Sequence, residues 1–248
     1  MNIRIDFYYW GGMCPISGEI IQKLNGCGDT FDVFLHDVTN DFETAKAQKM
    51  FFPFLTVVDG KRYYAPISDD FLQKLCGGIM PEEKPYVINM ARSERNAVIT
   101  PITKRNYGIA SRCTGRNNCA DCGKKAEMYD GVSEIIGFMH TDGGELLGGA
   151  EFFPSVYVPY DVPKGEDIAF ITCVYMSDES FDYKSAPLRA LEEYLRGKGY
   201  KQAVVISDEK GTFPNGDAEF FIKNGYRNEK VVFEDGYCRL HLFSKNLF

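Results

Sequence analysis

Cysteine is the side chain whose spacing first points to chemistry in this sequence. Trp10-Gly11-Gly12-Met13-Cys14-Pro15-Ile16-Ser17 sets one thiol directly before a proline suited to the first turn of a helix. A thiol there faces unpaired backbone N–H groups and the positive end of the helix dipole, and both lower its pKa. Dithiol exchange needs a second cysteine to resolve the mixed disulfide, and position 17 is serine. Cys14 therefore reads either as a reactive monothiol or as a scaffold residue without turnover. A second group lies in Cys113-Thr114-Gly115-Arg116-Asn117-Asn118-Cys119-Ala120-Asp121-Cys122, where Cys119 and Cys122 have C-x-x-C spacing. Three thiolates can hold a zinc ion if His140, His241 or Cys238 supplies the fourth ligand. A second C-x-x-C pair is missing, so a local disulfide, a thiol near a substrate cleft, or incidental cysteines fit the same spacing. Cys27 and Cys76 have no partner at motif spacing.

The chain around these residues has 248 residues, enough for two cores. Its net charge of −7 argues against nucleic acid or an anionic membrane as partner, since phosphate neutralisation needs clustered Lys and Arg. A small molecule or a protein is the expected partner. The opening Met1-Asn2-Ile3-Arg4-Ile5-Asp6 lacks a secretory h-region, and no apolar run reaches the roughly 18 residues of a membrane span. A cytoplasmic location is the default expectation. In a reducing compartment the eight cysteines are expected as thiols, metal ligands or redox groups.

The elements that must position Cys14 follow in order. Ile3 to Tyr9 has strand character, and Ile16, Ile20, Ile21 and Leu24 share a helical face that Asn25-Gly26 ends. Val33 to Val38 is a second strand, leading into a helix from about Phe42 to Met50 with Asn40 and Glu43 at capping-box spacing. Phe51 to Val58 turns through Asp59-Gly60 into Lys61 to Tyr64, and Ser68 caps a short helix ended by Gly77-Gly78. This βαβαββα order over residues 1–80, with Cys14 after the first strand and Phe52-Pro53 before the hairpin, resembles the thioredoxin-like fold. The resemblance makes Cys14 a candidate catalytic residue, with Ser17 a departure from the dithiol pattern.

Residues 81–96 are breaker-rich and read as a linker. The second domain, 97–248, opens with Val98 to Ile102, then a cysteine-bearing segment and a predicted helix from Lys124 to Met139. Leu146 to Tyr160 is expected to be extended, with Pro154 and Pro159 as interruptions. Ile168 to Met176 is a nearly continuous apolar run, as in a strand buried on both faces. A helix follows with Leu188, Leu191, Tyr194 and Leu195 on one face and Ser185 as its cap. Ala203 to Ser207 is a second buried strand. A short helix starting at Asp217 and two strands turning through Asp235-Gly236 complete the chain.

The strand Ile171 to Met176, the helix Leu188 to Lys198 followed by Gly199-Tyr200-Lys201-Gln202-Ala203-Val204-Val205, and Phe220-Phe221-Ile222-Lys223-Asn224-Gly225-Tyr226 together resemble the GNAT family of acyl-CoA-dependent N-acetyltransferases. The expected architecture is therefore α/β (α+β): a thioredoxin-like domain followed by a GNAT-like mixed-sheet domain. The resemblance implies that Val174, Tyr175 and Met176 bind the pantetheine arm of acetyl-CoA. It places the pyrophosphate at Asp182-Tyr183-Lys184-Ser185-Ala186-Pro187, where Lys184, Ser185 and Ala186 are the candidate contacts. That turn has no glycine, Pro187 removes a donor and Asp182 adds a like charge. Glu151 is the candidate base, and Tyr175 or Cys173 the candidate acid, because Phe221 stands where the family commonly has its tyrosine.

Three functions follow for comparison. The first is an acyl transferase moving acetyl from acetyl-CoA to a small-molecule or peptide amine, with the first domain as an accessory thiol module. A non-catalytic acyl-CoA or small-molecule sensor with a degenerate GNAT site is the second, and thiol chemistry centred on Cys14 the third.

Overall fold

The computed structural model describes residues 2–85, 93–95, 98–114, 122–177, 180–209, 215 and 217–248. The chain divides into two compact units, Met1–Lys84 with Pro159–Asp161, and Pro85–Val158 with Val162–Phe248. Unit 1 retains residues 81–84 of the breaker-rich segment: Lys61 Nζ and Tyr63 OH donate to the Pro81 carbonyl, and the Tyr64 N–H donates to the Glu83 carboxylate.

Unit 1 runs β1 (Ile3–Tyr9), α1 (Pro15–Asn25), β2 (Phe31–Asp37), α2 (Phe42–Ala47), β3 (Phe54–Val58), β4 (Lys61–Tyr63) and α3 (Asp69–Cys76). The sheet order is β2-β1-β3-β4, with β1 parallel to β2 and β3 antiparallel to both its neighbours. Pro15 opens α1, whose Ile16, Ile20 and Leu24 are buried along one stripe. Ser68 caps α3 by accepting the Phe71 N–H at 3.1 Å. At α2 the cap is Asp41, which accepts the Thr44 N–H at 2.9 Å, in place of the Asn40 expected from spacing.

Unit 2 begins with β5 (Val98–Ile102), α4 (Tyr107–Ala110), α5 (Cys122–Met128), β6 (Gly137–Asp142) and β7 (Glu145–Pro154). It continues with β8 (Ile168–Met176), α6 (Ser185–Gly197), β9 (Gln202–Asp208), α7 (Ala218–Lys223), β10 (Arg227–Glu234) and β11 (Arg239–Asn246). These strands form one seven-stranded sheet, β10-β11-β9-β8-β7-β6-β5. The helix expected over Lys124 to Met139 ends at Met128. Gly131 turns the chain at φ +74°, and residues 137–142 pair with β5 and β7 as a strand. Periodicity cannot separate a helical run from a turn followed by a buried strand when both are apolar.

Every pairing in this sheet is antiparallel except β8 with β9, the two strands that α6 connects as a crossover. Leu188, Leu191 and Leu195 are fully buried on one face of α6, against Ala150, Phe152, Ile171 and Val174. Residues of alternate parity on β7 and β8 face the opposite side of the sheet, where α4 and α5 lie. Truncating Leu191 to Ala removes a side chain with no solvent exposure. It is expected to cost about 2–5 kcal/mol, read as a lower urea midpoint with unchanged slope.

Candidate functional site

β8 and β9 are paired only at Ile168–Gln202, Ala169–Ala203 and Phe170–Val204. Beyond Phe170 they part, leaving the β9-facing edge of Thr172 to Met176 without strand partners among the described residues. On its other edge β8 stays paired to β7, but with a bulge: Phe152 opposes Ile171 and Glu151 opposes Cys173, so Thr172 is the extra residue. A bulge re-aims the side chains around it. Asn215, buried, bridges the gap. Its Oδ1 accepts the Val174 N–H at 2.8 Å and its Nδ2 donates to the Ile206 carbonyl at 3.3 Å.

The face of β7 and β8 opposite α6 carries Glu151, Cys173 and Tyr175. Lys125 of α5 pairs with the Glu151 carboxylate, with side chains 2% and 1% exposed respectively. Its Nζ also lies 3.8 Å from Cys173 Sγ. Burial disfavours charge on Lys125, but the adjacent Cys173, Glu151, Tyr107 and Tyr129 prevail and hold its pKa well above the usual lysine value. Desolvation pushes the Cys173 thiol up, with Lys125 acting against the rise. Tyr129 donates to the Phe152 carbonyl at 2.7 Å and so fixes α5 to β7.

Tyr175 lies across Gly149 of β7, where a Cβ would sit 2.5 Å from its hydroxyl. That hydroxyl is buried and has no hydrogen-bond partner among the described residues. Desolvation, reinforced by Glu151 and Cys113, raises its pKa well above 10, so it remains a proton donor. Glu151 and Tyr175, 24 positions apart in the sequence, thus share one cluster with Cys173.

At the start of α6 the structure places a carboxylate where an anion would bind. Asp182 accepts the N–H groups of Lys184 and Ser185 at 3.1 and 3.0 Å and the Ser185 hydroxyl at 2.7 Å. Lys223 adds an ion pair at 3.0 Å. Ser185 is thereby spent on Asp182, and Ala186 is half-buried in the first turn. The Lys184 ammonium sits 4.3 Å over the Phe220 ring. Burial lowers its pKa, with Asp182 and Asp217 opposing. The Val174 N–H is taken by Asn215, while Tyr175 and Met176 pair with Gly149 and Gly148. Phe221 is fully buried among Phe220, Tyr226 and Phe243.

Cys14 lies in unit 1 as the N-cap residue of α1, 6% exposed. The Trp10 backbone N–H donates to the Pro53 carbonyl at 2.9 Å, bringing the proline loop to the Cys14 loop, and Ser17 Oγ is buried without a hydrogen-bond partner among the described residues. Of the cysteine group, Cys113 is half-buried and close enough to Tyr107 and Tyr175 to raise their pKa values. Cys119 and the Cys122 side chain lie outside the described residues. His241 is held by Glu209 at 2.7 Å, Cys238 lies beside Asp235, and His140 packs edge-on to Tyr183.

Sequence reasoning missed Lys125, Asn215 and the capping role of Asp182. Lys125 precedes Ala126 and stands four residues before Tyr129, just past the end of α5, and all three are buried; that spacing was the available signal.

No family model and no curated protein matches the chain. Solved structures that resemble it include an N-acetyltransferase from Staphylococcus aureus Mu50, 17% identical, over 62% of this chain and 100% of that one, with a TM-score of 0.45. An aminoglycoside 6'-N-acetyltransferase from Enterococcus faecium is 14% identical over 61% and 97%, with a TM-score of 0.45. A putative acetyltransferase from Salmonella typhimurium, solved with its cofactor acetyl-CoA, is 13% identical over 62% and 95%, with a TM-score of 0.46. Among the described residues no helix is long and apolar enough to cross a membrane.

Two stability measurements test the electrostatics. K125M leaves the Glu151 carboxylate buried and unpaired and is expected to cost about 3–5 kcal/mol, whereas K125M/E151L recovers most of the loss. Asp182 has its carboxyl held below the ordinary carboxylate range: desolvation opposes charge, but bonds from Ser185 and Lys223 outweigh it. Its stabilisation is therefore fully present above that range and is lost as pH falls through the depressed folded-state pKa. D182A is expected to lose about 1–3 kcal/mol at neutral pH, a difference that shrinks towards zero in acid denaturation series.

Proposed function

We propose that unit 2 is a GNAT-type transferase that moves an acetyl group from acetyl-CoA to a primary amine. The observation that carries this reading is the parting of β8 and β9 directly beside Glu151, Cys173 and Tyr175. A thioester arm laid along the edge of β8 beyond the Asn215 bridge, towards Met176, would meet backbone groups in place of the missing strand, since Asn215 already holds the Val174 N–H. Glu151, being buried, is then the base that acts through water, and Tyr175 the donor whose hydroxyl has no hydrogen-bond partner among the described residues. The diphosphate fits less well. The N–H groups of Lys184 and Ser185 are bonded to Asp182, so a diphosphate must displace that carboxylate or lie beside it near Lys223. This supports weak binding of acetyl-CoA.

Asp182 also favours a second reading, a sensor that binds an acyl or small-molecule ligand without turnover. Steady release of free CoA with any member of an amine panel would refute it. For unit 1 we infer a thioredoxin-like accessory module, supported by the β2-β1-β3-β4 order and by Cys14 at the start of α1. Its position in the fold fits a monothiol.

Calorimetric titration of acetyl-CoA into the wild type and D182S tests the transferase reading. Removing the internal carboxylate while keeping a capping hydroxyl is expected to tighten binding by roughly tenfold. No heat from either protein at high micromolar concentration would sink it.

A further inference from the structure

Within the Lys125–Glu151–Cys173 cluster the three groups differ in what they can do. Glu151 and Lys125 are almost fully buried, while Cys173 is half-buried. Lys125 is held as an ammonium and has no lone pair to attack with. Cys173 is the nucleophile of the three whose residue keeps partial solvent exposure. It sits beside the bulge, just past the last β8–β9 pair, and it opposes Glu151 in the register.

We propose that Cys173 is a covalent acyl acceptor, so that unit 2 transfers its acyl group in two steps through a Cys173 thioester. The inference rests on the transferase reading of the same site. In the first step Cys173 Sγ bonds to the acyl carbon and the carbon–sulfur bond to the donor breaks. The Cys173 proton passes to Glu151 and from there to the departing thiolate. In the second step an amine bonds to the acyl carbon, the bond to Sγ breaks, and the proton lost by the amine returns to Cys173. No oxidant, reductant or metal enters the balance.

The surroundings suit this sequence. Lys125 Nζ, 3.8 Å from the sulfur, places a fixed positive charge beside the developing thiolate. Tyr175, two residues along the same face, offers a buried hydroxyl with no hydrogen-bond partner among the described residues, suited to a carbonyl oxygen that gains negative charge. Desolvation keeps the thiol protonated at rest, so Cys173 is ionised only when a base takes its proton.

The test is intact-mass and peptide-mapping spectrometry after exposure to two donors, acetyl-CoA and the short thioester S-acetyl-N-acetylcysteamine, which has no phosphate. The expected result is one acetyl group per chain on Cys173, formed faster than on the exposed Cys76 and removed by neutral hydroxylamine. C173S should lack it, C14A should keep it, and K125M should form it roughly tenfold more slowly or worse. Labelling of Cys173 by the short thioester alone upholds the proposal while removing acetyl-CoA as donor. Calorimetric binding of acetyl-CoA with Cys173 unlabelled by both donors overturns it and leaves direct transfer intact. A hydroxylamine-stable acetyl on Lys125, or Cys173 labelled no faster than Cys76, overturns it as well.

Discussion

Two parallel strands that share only three residue pairs create a hydrogen-bonding problem at the centre of unit 2. Backbone N–H and C=O groups buried away from water must find partners. From Thr172 onward β8 has β7 on one side and a gap on the other, while β9 keeps β11. The Asn215 amide resolves part of this by bonding to both strands at once. Its own carbonyl accepts the Ser207 hydroxyl at 2.6 Å, which holds the plug in place. The same parting brings the bulge at Thr172, and with it Cys173 and Tyr175, beside Lys125 and Glu151.

The polar cluster on that face shows how charge is retained inside the unit. A lone ammonium or carboxylate at this depth would neutralise itself by a pKa shift. Pairing Lys125 with Glu151 keeps the cluster near net neutrality, and Tyr129 anchors the helix that delivers the lysine. A buried pair of this kind contributes little to net stability. Its retention in a face otherwise able to pack apolar side chains is an argument for chemistry.

Much of the framework was legible in the sequence. The apolar run of Ile168 to Met176 and the Leu188, Leu191, Leu195 stripe fix a central strand and the helix that covers it, and the structure has both. The stretch from Lys124 to Met139 was not legible, because Gly131 and the apolar start of β6 mimic a continuing helix. The sequence put Glu151 in an extended segment and Tyr175 in a buried strand, and both lie on neighbouring strands. Lys125 was not legible, since a lysine in a short helix is ordinarily solvated. Asp182 was legible as a like charge to phosphate; that it folds back onto its own helix depends on a loop geometry no pattern encodes.

The helix N-terminus of α6 therefore already holds an anion that is covalently tethered to it. A tethered group competes at a high effective concentration that no change in the surroundings dilutes. Inorganic phosphate, sulfate or a bare nucleotide, offering only charge, must outcompete a carboxylate that never diffuses away. On the proposed reading of the site, a ligand would gain entry by adding contacts elsewhere, along the edge of β8. Asp182 would then work as a filter: it would set a threshold of binding energy that charge alone does not meet, and favour molecules long enough to reach both ends.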